Sequence, residues 1–67
     1  MERTLYFGSV SSASRGKRLL AAARIRAHLI KLESDEEGCA WGLRLREEEL
    51  LRAAQVLRAE GVRYEVR

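Results

Sequence analysis

The chain has one cysteine, one histidine, no proline and only four aromatic side chains among its 67 residues. A single cysteine excludes a disulfide within the chain. Cys39 and His28 together offer too little soft ligation for a structural zinc site, so no metal and no cofactor is expected. Long hydrophobic runs are missing as well. The apolar stretch at residues 19–23 is closely followed by Arg24 and Arg26, and Glu2 and Arg3 follow the first methionine. A membrane span needs roughly 20 apolar residues, so neither a span nor a secretory leader is expected. A lone unpaired cysteine suits a reducing compartment, and the expected location is the cytoplasm.

No linker, repeat or low-complexity tract interrupts the sequence, which reads as one domain over residues 1–67. A chain this short buries a modest core, and self-association is the expected source of any extra stability. The net charge is +3, from 13 basic and 10 acidic residues, and eleven of the basic ones are arginine. The two signs are interspersed, whereas a nucleic-acid footprint is more one-sided. Nucleic acid is therefore not the expected partner.

Short strand patterns alternate with amphipathic ones. Residues 4–7 are β-favouring, with Leu5 and Phe7 on one face at the two-residue period. Gly8 ends that run, and Ser9, Ser11, Ser12 and Ser14 are candidate caps for a helix over residues 12–23. There Ala13, Gly16, Leu20 and Ala23 recur at intervals of three and four, with Arg15 and Arg18 on another face. Residues 25–32 read as a strand with Ile25, Ala27 and Leu29 on one side. Residues 33–38 form a turn, and residues 41–45 a third strand with Trp41, Leu43 and Leu45 in register. Glu47, Glu48 and Glu49 suit the start of a second helix, although no Ser, Thr, Asp or Asn caps it. Leu50, Ala53, Ala54 and Leu57 form its stripe, Gly61 is the C-terminal glycine, and residues 62–67 close as a strand.

The order β-α-β-β-α-β predicts an α+β, ferredoxin-like βαββαβ fold, a four-stranded antiparallel sheet with two helices on one face. The open face carries Tyr6, His28, Ile30, Arg44 and Arg46. A partly apolar face of this kind is a candidate surface for a homodimer or another partner.

Cys39 is the candidate reactive group. In this topology the turn between strands 2 and 3 lies at the same end as the loop entering the first helix. Cys39 is thus expected near Gly8–Ser12, with Ser9, Ser11 and Ser12 as supporting residues, where free helix N–H groups favour a thiolate. Gly38 and Gly42 are expected to keep the sulfur sterically open, and Arg15 in the first helical turn adds positive charge. Asp35, Glu36 and Glu37 oppose a thiolate unless they face solvent. A buried cysteine acting as a small hydrophobe is the competing reading.

These residues carry a resemblance. The opening Tyr6-Phe7-Gly8-Ser9, the helix with Ala13 and Leu20, Gly38-Cys39 with Gly42-Leu43, and Leu57…Gly61-Val62-Arg63-Tyr64 resemble the Se/S carrier protein-like domains, a group of short bacterial proteins. The likeness runs along nearly the whole chain, and the glycine-cysteine turn is its specific part. That family often has a proline and a basic residue before its cysteine and a glycine directly after it. Here residues 33–37 are mostly acidic, and Ala40-Trp41 separate Cys39 from Gly42. The resemblance implies a carrier: Cys39 accepts sulfur or selenium as a persulfide or selenenylsulfide from a donor protein and passes it to an acceptor. Such a protein turns over no substrate by itself.

Other groupings point elsewhere or nowhere. His28 falls on the open face, back from the turn, and is expected to be exposed or at an interface rather than a base for Cys39. The acidic turn reads as solvated rather than as a cation site. Trp41 reads as packing. The rival function class is binding without chemistry: a dimerising or regulatory module, or RNA recognition through Tyr6 with Arg44, Arg46 and Arg63.

Overall fold

The computed structural model describes residues 1–32 and 40–66. Strand β1 spans Glu2–Phe7, helix α1 Val10–Ala22, β2 Ala27–Leu32 and β3 Ala40–Arg46. A 3-10 turn at Glu47–Glu49 leads into α2, Leu50–Ala59, and β4 is Glu65–Val66. The sheet order is β2-β3-β1-β4. Every neighbouring pair is antiparallel. The chain therefore has the expected ferredoxin-like α+β arrangement, with β3 inserted between the parallel β1 and β2.

The two-residue period decides which side of the sheet the helices cover. Leu5 pairs with Leu43, and Leu43 with Leu29, so one apolar row crosses three strands. Leu5, Phe7, Leu43 and Leu45 are at most 1% exposed and meet Ala13 and Leu20 of α1 and Ala53 and Leu57 of α2. Trp41, pairing with Phe7, packs partly buried against this cluster, as expected of a packing residue.

Helix α1 starts two residues earlier than expected. Ser9 is extended (φ −146°, ψ 155°) and its Oγ accepts from the Ser12 N–H at 3.2 Å, so of the four serines the first is the cap. The 3-10 turn and α2 start without a side-chain cap, in keeping with the lack of a capping residue there.

Both helices end by the same device. After α1, Arg24 N–H bonds to Ala21 O at 2.9 Å and Ile25 N–H to Leu20 O at 2.8 Å. After α2, Gly61 N–H bonds to Arg58 O at 3.1 Å and Val62 N–H to Leu57 O at 2.9 Å. These are paired Schellman motifs, and Ile25 and Val62, the residues beyond the caps, are buried in the core cluster with Leu20 and Leu57. The motifs also correct two strand boundaries. Ile25 and residues 62–64 lie outside the ladders, because the N–H groups of Ile25 and Val62 close helix ends; β2 starts at Ala27 and, among the described residues, β4 covers only Glu65–Val66.

The motif needs a left-handed residue. Gly61 supplies φ 70° at no steric cost, but at the first helix end the same place is filled by Arg24, with φ 62°. A side chain in that region costs about 1 kcal/mol. Arg24→Gly is accordingly expected to stabilise the domain by roughly 0.5–1 kcal/mol, offset in part by the greater freedom of glycine when unfolded. Urea denaturation checks this, and a loss of stability would show that the Arg24 side chain holds the fold.

Two arginines join the antiparallel helices. Arg15 of α1 donates to the carbonyl of Glu60, the cap of α2, at 3.3 Å. Arg52 of α2 donates to the carbonyl of Ala23, the cap of α1, at 2.9 Å and to Glu49 Oε2 at 2.9 Å. Each helix thus places a cation at the negative end of the other.

Candidate functional site

The sheet end where β1 finishes is the candidate site. Trp41 pairs with both Phe7 and Lys31, and Ala40 pairs with Leu32. The chain therefore enters β3 at the end where β1 passes through Gly8 to the cap of α1. The expected carrier thiol Cys39 and its neighbour Gly38 lie outside the described residues, as does the acidic turn at 35–37.

The supporting residues separate into three groups. Ser9, Ser11 and Ser12 do gather at the start of α1. The Ser9 hydroxyl donates to Ser12 Oγ at 3.1 Å while accepting from the Ser12 backbone. The N–H groups of Val10 and Ser11, in the first turn, have no partner within the helix. Ser11 is exposed beside them. Gly42 is not a loop residue. It sits inside β3, paired with Tyr6 and Ile30, and it is buried. A Cβ there would lie 2.9 Å from Thr4 Cγ2, 3.1 Å from Leu32 Cδ1 and 3.3 Å from Ile30 Cγ1. Its lack of a side chain lets three neighbours close over the open face, and does nothing to free a loop. Arg15 is also corrected: it lies in the second turn of α1, and its bond to Glu60 O commits the guanidinium to the end of α2.

The open face is as expected in its composition. His28 is exposed and pairs with Arg44, while Tyr6 and Ile30 are half-buried. Glu2 Oε1 lies 3.8 Å from Arg44 Nε, with both side chains about half exposed, a pair of little energetic weight. Tyr6 is the only aromatic residue on this face among the described residues, so an RNA-binding sheet of stacked aromatics is not present there.

A feature that the sequence did not bring to notice lies at the opposite sheet end, where Arg24, Arg26, His28 and Arg46 line a cleft. The alternation of Arg24, Arg26 and His28 straight after a helix is its one visible sign; the contribution of Arg46 depends on strand register. Among the described residues no group of three or more His, Cys, Asp or Glu side chains could hold a metal ion. No helix of the described residues is long and apolar enough to cross a membrane. The chain matches no family model, no curated protein and no solved structure.

Proposed function

We propose that this domain is a carrier in which Cys39 accepts a sulfur or selenium atom from a donor protein and hands it to an acceptor. The observation that supports this reading is the register of β3. Through Leu32–Ala40 and Phe7–Trp41, β3 begins at Ala40, the residue after Cys39 in sequence, at the sheet end where α1 also begins. Unsatisfied N–H groups at a helix start favour a thiolate, the form that attacks.

The transfer needs no group beyond the thiolate. Cys39 attacks the terminal sulfur of a donor persulfide; the new S–S bond forms as the donor's S–S bond breaks, and the donor leaves as its thiolate. An acceptor nucleophile then attacks that same terminal atom, and the Cys39 thiolate departs. Oxidation states balance in both exchanges, and selenium in place of the terminal sulfur follows the same course. A reducing compartment such as the cytoplasm goes with this chemistry.

The test is intact-mass measurement after incubation with a persulfide donor. One added sulfur is expected on the wild type and none on Cys39→Ser. An unmodified wild type, or the same adduct on Cys39→Ser, overturns the reading. The rate of Cys39 alkylation against pH is expected to titrate below the free-cysteine value of about 8.5.

A second reading has its own support. Thr4, Ile30 and Leu32 close over Gly42 to make a small apolar patch on the open face, beside His28 and Arg44. Such a face suits a non-catalytic interaction module, including one that pairs with its own copy. Sedimentation of the wild type against Ile30→Glu checks it: a dimer that becomes a monomer supports this reading, and a wild-type monomer excludes the self-association.

A further inference from the structure

We propose that the cleft between Arg24, Arg26, His28 and Arg46 is a binding site for a small phosphorylated ligand carrying a di- or triphosphate group. It lies at the sheet end opposite the one where β3 begins, and does not depend on the carrier reading.

The cleft has a volume of about 440 Å³, within the range of small-molecule sites. Its cations come from separate parts of the chain. Arg24 follows α1, Arg26 precedes β2, His28 lies in β2 and Arg46 ends β3. Since Ala27 pairs with Leu45, Arg26 and Arg46 flank the end of the same ladder. Tertiary structure thus collects three permanent positive charges and an imidazole around one opening.

Those charges are left over once local pairing is counted. Two carboxylates also line the cleft, Glu2 and Glu49, and each has an arginine from outside it: Arg44 at 3.8 Å and Arg52 at 2.9 Å. Arg52 also covers the carbonyl of Ala23, which would otherwise present the negative end of α1. Arg46 has Glu48 at 3.8 Å, with both side chains more than two-thirds exposed, a pair that solvent screens heavily. The side chains of Arg24 and Arg26 have no hydrogen-bond or ion-pair partner among the described residues. The surface there carries a net excess of positive charge that the fold itself does not use.

Arg24 supplies an independent argument. Its left-handed backbone (φ 62°) would be unstrained in glycine, which the second helix has at the equivalent position. Strain retained where a simpler residue would serve is a recurrent mark of a functional position. Guanidinium groups are matched to phosphate oxygens in charge and in bidentate geometry. A diphosphate presents several negative charges within a few ångströms and suits three arginines lining one cleft better than a single carboxylate does.

The experiment is an NMR titration of the whole chain with inorganic pyrophosphate at moderate salt, repeated with a short single-stranded RNA. Saturable binding is expected, with amide shifts confined to residues 1–3, 24–28 and 44–49, the segments that line the cleft. Arg26→Gln and Arg24→Gly are each expected to weaken it about tenfold, the loss of one charge-assisted hydrogen bond. Arg24→Gly should do so while remaining folded and no less stable, which separates loss of the site from loss of the fold. The variant Arg63→Ala, whose residue lines a different groove with Gly8, should bind like the wild type. Non-saturating or scattered shifts, equal weakening by Arg63→Ala, or RNA binding that pyrophosphate fails to displace would each overturn the proposal.

Discussion

Replacing Leu43 with alanine is expected to lower the unfolding free energy by about 3 kcal/mol, within the range of buried leucine truncations. Leu43 is 0% exposed on β3, an interior strand, and sits in register between Leu5 and Leu29. Its Cδ1 reaches the space beneath Gly16, so the truncation opens a void between sheet and helix that neither layer can readily fill. A domain of this length has a total stability of roughly 3–10 kcal/mol, so one such loss removes a large share of it. The thermal midpoint should fall by roughly 12–24 °C. Urea denaturation followed by Trp41 fluorescence checks this, with a lower midpoint and an unchanged slope expected. A loss under about 1 kcal/mol would show that α1 collapses onto the sheet and refills the site.

The second large effect is expected at Gly16, where two terms of opposite sign compete. Glycine inside a helix costs about 1 kcal/mol relative to alanine, and leucine is nearly as good a helix former. On propensity alone, Gly16→Leu should stabilise α1. Packing points the other way. A Cβ at position 16 would lie 3.2 Å from Phe7 Cζ and 3.3 Å from both Phe7 Cε2 and Leu43 Cδ1. Phe7 is 1% exposed and Leu43 0%, so neither has open space to retreat into. Gly16→Ala should therefore be nearly neutral, as the propensity gain offsets a displacement of a few tenths of an ångström. Gly16→Leu must also house three further carbons, and overpacking of this kind costs typically about 1–3 kcal/mol. With the propensity gain subtracted, a net loss of about 1 kcal/mol, and up to about 2, is expected, since the bulk of leucine exceeds the overlap that alanine makes. A Leu variant as stable as the wild type would mean that α1 rides further from the sheet at little cost.

Gly16 also divides what spacing reveals from what packing decides. Its place in the stripe with Ala13 and Leu20 is visible as a spacing of three and four, and all three are buried. The spacing does not show that the position needs the absence of a side chain, which depends on how closely Phe7 and Leu43 approach from the sheet. Gly42 is the sharper case. With Gly38 it reads as one of two glycines freeing a cysteine loop; the ladder instead puts it opposite Tyr6 and Ile30, beneath Thr4 and Leu32. A glycine near a cysteine looks the same in sequence whether it frees a loop or sits within a ladder, and only register shows that Gly42 does the latter.

Arg15 falls one turn from its expected place for a related reason. Counting a helix from residue 12 puts it in the first turn, whereas Ser9 is the cap and Arg15 lies in the second. Helical spacing sets which residues share a face but says little about where along the serines the helix begins. That is decided by how soon the chain must turn after Phe7 to lay Ala13 on the core.

The order of the elements, the faces of the first three strands, the helix stripes and the glycine ending α2 were determined by the sequence itself. They follow from periods of two and of three to four and from the steric freedom of one residue, all local properties. The strand limits at Ala27 and Glu65, the left-handed Arg24, the exchange of arginines between helix ends and the gathering of Arg24, Arg26 and Arg46 were decided only by the tertiary structure. Each depends on a hydrogen bond or a strand register joining residues whose relation no local pattern records. Where an N–H closes a helix it is lost to the sheet, and which charges meet depends on which strands become neighbours.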